Sequence, residues 1–361
     1  MMKIKINGVD RLYKEYSWRL TRRAKKVWQS GLVVGNKSHA ETDIFEKSIA
    51  KYTGRKYAVA VGSGTDALYF ALKVKGVGPG SVVGCPAVSY MATAEAIKRT
   101  GAQIYFIDTN ENGQMGDISE CRITDLVYVN LFGNIDDYDR IQEICNRKKI
   151  TLFEDGAQSF GSSYKNIQSG KLGDISVLSF SPTKPLPAFG NAGMVLTDSE
   201  DEADILKGYR YHGYNGVNIN YGYNSCIPES ISAQLNFLLS KYKTILKERK
   251  TIYKLYCKLL NNYPVTILEP RQNSISNHSK FVIKVKNRDE LQNYLKEKGV
   301  QTGLVYKEPM SQMKMFATTP YDTSWHQTKV PNAIKFCNCA ISLPIYPLLK
   351  QKEIEYICNQ I

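Results

Sequence analysis

From residue 57 to residue 200 the chain alternates two kinds of segment. Short apolar runs recur at YAVAV (57–61), SVVGC (81–85), IYFID (104–108), LVYVN (126–130), ITLFE (150–154), ISVLSF (175–180) and GMVLT (193–197). They are rich in Val and Ile and nearly continuous. That is the pattern of strands buried on both faces of a mostly parallel sheet. Between them, stretches such as TDALYFALKV (65–74) and YDRIQEICNRK (138–148) carry apolar residues at helical spacing. The pattern predicts an α/β fold with a seven-stranded, mostly parallel sheet and helices on both faces. In such sheets ligands sit beyond the carboxyl ends of the strands, so chemistry is sought there.

Past residue 228 the pattern changes. PESISAQLNFLLSKYKTILKERKTIYKLYCKLLNN (228–262) predicts one long helix, bent, that starts just after Pro228. It leads to a smaller α+β lobe, with a strand at KFVIKV (280–285) and a helix near 289–299. This divides the chain into a large domain, residues 1–240, and a small C-terminal domain, residues 241–361.

Composition narrows the picture. Hydrophobic residues are 43% and charged residues 23% of the 361, an ordinary globular mix. No apolar run approaches the roughly 18 residues of a membrane span. The N-terminus, MMKIKINGVDRLYKEY, has no apolar signal core, so a cytoplasmic protein with no membrane partner is expected. The net charge of +14 favours anionic partners, either nucleic acid or a nucleotide diphosphate. The basic residues are scattered, and no zinc-finger or RNP motif occurs, so nucleic acid is not expected. The eight cysteines form no CxxC pair and do not cluster with the four histidines, so no metal site is expected. Cys337 and Cys339 are spaced like two residues on one face of a strand and read as structural.

Three strand ends carry candidate chemistry. In VGSGTDAL (61–68) a strand runs through a Gly-Ser-Gly-Thr turn into a helix. The first amides of a helix lack internal partners and favour an anion, so Gly64 and Thr65 could hold a phosphate. The plainer reading is a Thr helix cap. No Walker lysine follows, which argues against a nucleoside-triphosphatase loop. In FEDGAQ (153–158), Asp155 and Gln158 follow a buried strand, as ligand or acid–base groups or as a helix cap. In SVLSFSPTKPL (176–186), Lys184 lies in a turn rich in Pro and Gly. A lysine held among apolar groups loses pKa and becomes a usable amine, whereas an exposed turn lysine does not.

Taken together, these segments resemble the DegT/DnrJ/EryC1/StrS aminotransferases, the sugar-aminotransferase branch of the fold-type I enzymes that use pyridoxal phosphate (PLP). The likeness runs in order through GLVVGNKSHAETDIFEKSIAKYTG (31–54), SGTDAL (63–68), PAVSYMATAEAI (86–97), EDGAQSFGS (154–162), GDISVLSFSPTK (173–184), GNAGMVLTD (190–198), YRYHGY (209–214), GYNS (222–225) and SLPIYPLL (342–349). Its most specific part is EDGAQ followed by SFSPTK, with 29 residues from Asp155 to Lys184.

The resemblance implies roles. Lys184 matches the lysine that forms the Schiff base with PLP and moves the proton. Asp155 matches the carboxylate paired with the pyridine nitrogen, and Gln158 the residue beside the ring. Tyr90 matches the aromatic stacked on the ring. Gly64, Thr65 and Ser179 match the phosphate cradle. Asn224 matches an Asn that reaches the neighbouring subunit's cofactor, which implies a homodimer with shared active sites. The implied reaction converts a keto sugar, nucleotide-linked and 3- or 4-keto-6-deoxy, to an amino sugar with L-glutamate as donor. A cyclitol substrate, or a non-catalytic regulatory protein on the same scaffold, are the competing expectations. Dehydratase relatives carry a His at the lysine position, and Lys184 argues against that chemistry.

Three positions depart from the family pattern. Cys226 stands where an Arg is common, Asn130 (in VNLFG) where a His is common, and Val305 (in LVYKEP) where another His is common. All three are expected in regions that contact substrate or line its entrance.

Overall fold

The computed structural model describes residues 2–34, 40–214, 221–317 and 329–361. Residues 35–39 of the segment 31–54 therefore lie outside the described residues. Two helices open the chain, α1 (Val9–Ser30) and α2 (Ala40–Thr53). The main layer then alternates β1 (Tyr57–Val61), α3 (Gly64–Val74), β2 (Val82–Pro86), α4 (Ala92–Thr100), β3 (Gln103–Ile107), β4 (Asp125–Val129), α5 (Tyr138–Lys148) and β5 (Thr151–Asp155). A small hairpin follows, β6 (Ser163–Tyr164) and β7 (Ile167–Gln168), then β8 (Ile175–Ser179), β9 (Gly193–Thr197) and α6 (Glu200–Arg210).

The seven long strands form one sheet in the order β1-β9-β8-β5-β4-β2-β3. One strand, β9, runs against the rest. All seven expected runs are strands, within a residue or two at their ends. Their side chains divide between two cores. On one face Val59, Val61, Phe153, Val177 and Val195 pack against α3 residues such as Phe70. On the other, Ala58, Ala60, Leu178, Met194 and Leu196 pack against Leu20 and Phe45. Alternation along each strand feeds both faces, which is why the runs read as continuous.

The long helix is two helices. α7 (Glu229–Ser240) and α8 (Tyr242–Leu260) meet at Lys241, whose φ −99° and ψ −3° leave the helical path. α7 packs on α1 and α2, whereas α8 packs on the C-terminal helix Gln351–Cys358. We propose the domain division near residue 240 at this break. Beyond it lie β10 (Thr266–Ile267), β11 (Ser274–Ile275), β12 (Phe281–Lys284), α9 (Arg288–Glu297), β13 (Gly303–Leu304) and β14 (Ala340–Leu343). β10, β12, β14 and β13 form an antiparallel sheet in that order. Phe281, Ile283, Ile341 and Leu343 from this sheet share a core with Tyr256 and Ile357. Ile4, from the start of the chain, packs into the same core.

One expectation is corrected. Cys337 and Cys339 lie on a helix, Pro331–Cys339, not on a strand. Pro331 sits in its first turn, and Ala333, Phe336 and Cys337 are buried at three-to-four-residue spacing. Among the described residues no helix is long and apolar enough to cross a membrane.

Candidate active site

The candidate residues converge at the carboxyl ends of β1, β5 and β8. β5 ends on Asp155, which is 6% exposed. Its Oδ1 accepts from Ala157 N (3.1 Å) and its Oδ2 from the Thr93 hydroxyl (3.1 Å). Thr93 is itself held by Ser89 (2.9 Å). The backbone after Asp155 turns rather than starting a helix, so the helix-cap reading does not apply. Burial raises the Asp155 carboxyl above the ordinary Asp range, and the Ala157 amide, the charge of Lys184 and the Thr93 hydroxyl pull it down.

Lys184 follows β8 in a turn closed by its own amide to Ser181 O (2.9 Å). Burial lowers its ammonium below the ordinary lysine range, while the Asp155 charge opposes the shift. The two groups therefore share one poorly hydrated space, each altered by lost water and partly restored by the other.

Gln158 is fixed at both ends. Its Oε1 accepts from Phe132 N (3.0 Å), and its Nε2 donates to the Tyr306 hydroxyl (3.1 Å). The Tyr306 ring lies 6.4 Å from that of Tyr90, which is 53% exposed and so presents an open aromatic face.

The β1–α3 turn brings Gly64 against Ser179 at the end of β8. A Cβ built on Gly64 would lie 2.7 Å from Ser179 Cβ, so only glycine lets the helix start approach this closely. The helix cap is Ser63, which accepts from Asp66 N (3.0 Å). Thr65 is thus not the cap, and its hydroxyl and the first amides of α3 remain for a ligand. Asn224 is exposed, whereas its neighbour Ser225 is buried and bonded to Gly62 N (3.0 Å) and Asp66 (2.8 Å).

Residues 19–361 match the DegT/DnrJ/EryC1/StrS aminotransferase family over nearly the whole chain. The chain belongs to that family. It is a PLP-dependent sugar aminotransferase, and PLP is its cofactor. It is 31% identical over 328 residues to a protein of Geobacillus stearothermophilus named pleiotropic regulatory protein, covering 88% of this chain and 87% of that one. It is 30% identical over 326 residues to the UDP-2-acetamido-2-deoxy-3-oxo-D-glucuronate aminotransferase of Pseudomonas aeruginosa, covering 88% and 89%. Its fold matches that of a DegT DnrJ EryC1 StrS aminotransferase from Brucella abortus with TM-score 0.90 and 27% identity, over 100% of this chain and 98% of the other.

The residues suit this family's cofactor. Asp155 is a buried carboxylate with two donors, fewer than its two oxygens accept, and its hydrogen bonds come from neutral groups. It can take a cationic N–H. The Gly64 cradle and the start of α3 offer amides to a phosphate.

Several participants escaped the sequence reading. Thr93 lies in the recognised stretch 86–97 but carries no signal of its own. Tyr306 sits next to Val305, in the segment LVYKEP. Of the three departures, Asn130 needs revision. Asn130 is fully buried and donates to Glu154 Oε1 (2.8 Å), so it belongs to a structural network and not to a substrate entrance. Val305 is 6% exposed and packs in the large-lobe core. Cys226 is half-buried with its thiol toward Arg210 O (3.5 Å). For Asn130 the cause is local packing, which a comparison of residue types does not register.

Proposed function

We propose that this enzyme transfers an amino group from L-glutamate to a nucleotide-linked keto sugar, with Lys184 as the reacting amine and Asp155 as its electrostatic counterpart. The observation that carries the reading is the pairing of a desolvated Lys184 with a buried Asp155 that has no bonded cation. When bound, PLP supplies the electron sink for the carbanion formed at the donor carbon. Lys184 is the attachment point for the cofactor aldehyde. Its free amine would serve as the base, and then the acid, that moves the donor carbon's proton. Burial favours this, because it keeps more of the amine neutral near neutral pH.

Asp155 would pair with the ring nitrogen and favour its protonated form. Thr93 and Ala157 N fix the orientation of that carboxylate. Gln158, clamped by Phe132 N and Tyr306, would flank the ring, and the exposed face of Tyr90 would stack on it. Gly64, Thr65 and Ser179 would hold the phosphate. The 3-oxo sugar acted on by the P. aeruginosa relative makes a 3-keto nucleotide sugar the first substrate to try.

The working unit is a homodimer in which Asn224 reaches the partner's cofactor phosphate. Its exposure beside a firmly tied Ser225 supports this, as do the exposed Trp18, Trp28, Tyr214 and Tyr221. The test is a panel of 3-keto and 4-keto nucleotide sugars with L-glutamate, read by mass spectrometry. Borohydride reduction and peptide mapping should place the pyridoxyl group on Lys184. An adduct on any other lysine, or no amination across the panel, refutes the proposal. Mixing Lys184→Ala and Asn224→Ala subunits should restore activity in hybrid dimers, and dead hybrids would refute the shared site.

A further inference from the structure

Behind Lys184 lies chemistry that the roles above leave unused. A narrow cavity of about 30 Å³ runs between the Lys184 turn, the N-terminal residues 6–12 and the small lobe. Its charged lining is Lys184, Lys280 and Arg249, with no Asp or Glu. Strand β12 explains why Lys280 is there. Phe281 and Ile283 point into the small-lobe core, so Val282, and Lys280 just before the strand, face the large lobe.

Part of the donor capacity of this wall is also unused. Arg249 donates to the carbonyls of His278 (3.1 Å) and Ile345 (3.2 Å), and its Nε is buried without a partner. The Ser279 and Tyr346 hydroxyls, also in the lining, are buried without partners. Unpaired buried donors and clustered like charges each oppose folding. An anion in this cavity would meet a lining that offers unused donors and no carboxylate. A water needs roughly 10–15 Å³ of such space, so the cavity takes about two water-sized groups. That suits the two oxygens of a carboxylate and is too small for a phosphate.

We propose that Lys280, Arg249, Ser279 and Tyr346 form a carboxylate subsite beside Lys184 that takes the acid group of one substrate. The acid belongs either to the amino donor or to a sugar acid. The proposal rests on Lys184 being the reacting amine, but its binding test does not. Burial and the neighbouring charges of Lys184 and Arg249 lower the Lys280 ammonium to about 8. The charged groups acting on it are Lys184 from the turn and Arg249 from α8, while Tyr346, which shares the lining, lies nearer Arg11, Glu353 and Asp10. A protonated lysine binds the anion, so affinity should fall as pH rises through this value.

The test uses glutarate, a dicarboxylate that cannot react, titrated into the holoenzyme by calorimetry. Wild type should bind glutarate and not inorganic phosphate at this site. Lys280→Met should weaken glutarate at least tenfold, and Lys280→Arg should retain part of it. Ser279→Ala should weaken it a few-fold. A tenfold rise in KM for L-glutamate alone in Lys280→Met assigns the subsite to the donor. A rise confined to a keto uronate, with the 6-deoxy sugar unchanged, assigns it to the sugar. If Lys280→Met is folded by circular dichroism and leaves glutarate affinity and both KM values within twofold, the proposal is overturned. If the borohydride adduct maps elsewhere while glutarate binding still depends on Lys280, the reading of Lys184 fails and the subsite stands.

Discussion

Glu154 and Asp155 are adjacent carboxylates at the end of one strand, yet they sit in opposite worlds. Glu154 accepts from Asn130 Nδ2 (2.8 Å), Ser169 Oγ (2.8 Å), Gly170 N (2.9 Å), Leu172 N (2.8 Å) and Ser176 Oγ (2.7 Å). All its acceptor capacity is used, and it ties β5 to the loop before β8. Asp155, on the other face, accepts from two neutral donors and faces a lysine. One carboxylate is finished by folding and the other is left with capacity for a ligand. Function sits where satisfaction is incomplete.

Mutations should separate the two. Glu154→Ala strands five donors in the core, and should cost about 3–5 kcal/mol of stability. Chemical denaturation measures this, and a loss under 1 kcal/mol would break the contrast. Asp155→Asn should keep the wild-type midpoint but lower kcat about 100-fold, or about 2.7 kcal/mol of barrier. Near-normal turnover would make Asp155 a structural residue like its neighbour.

Thr93→Val sharpens the same point with a smaller effect. It removes one of the two bonds that fix Asp155, and should lower kcat about fivefold, in line with about 1 kcal/mol for a hydrogen bond. PLP affinity adds a pH test. The Asp155 carboxyl is raised by burial, so its anionic form, and with it cofactor binding, is lost as pH falls through that raised value. Asp155→Asn should bind PLP more weakly and without this acid edge. Equal edges in both proteins would assign the titration to another group.

A final effect concerns Lys280. Its folded value of about 8 lies below the ordinary 10.5 of a lysine. The charged form is therefore disfavoured in the native state. The cost is full below pH 8, shrinks as pH rises through the folded value, and is gone above the unfolded one. Lys280→Met should be more stable than wild type at pH 7, with the gain nearly gone by pH 10.5. A loss of stability at pH 7 would show that Lys280 has a structural partner.

The sequence by itself determined the large lobe. Its seven strands are legible because each is buried on both faces, and continuous runs of Val and Ile leave few other folds. It also determined which residues to watch at the strand ends, through the spacing of Asp155 and Lys184 and the Gly-Ser-Gly-Thr turn at the start of α3. Tertiary structure alone decided which carboxylate of the Glu154–Asp155 pair meets the site, since a strand sends successive side chains to opposite faces and only packing says what each face meets. It decided that Ser63, not Thr65, caps α3, because the two differ only in where the helix starts. It also decided the positions of Thr93, Tyr306 and Lys280. These arrive from segments far apart in the chain, and their meeting depends on the closure of two lobes that no local pattern encodes.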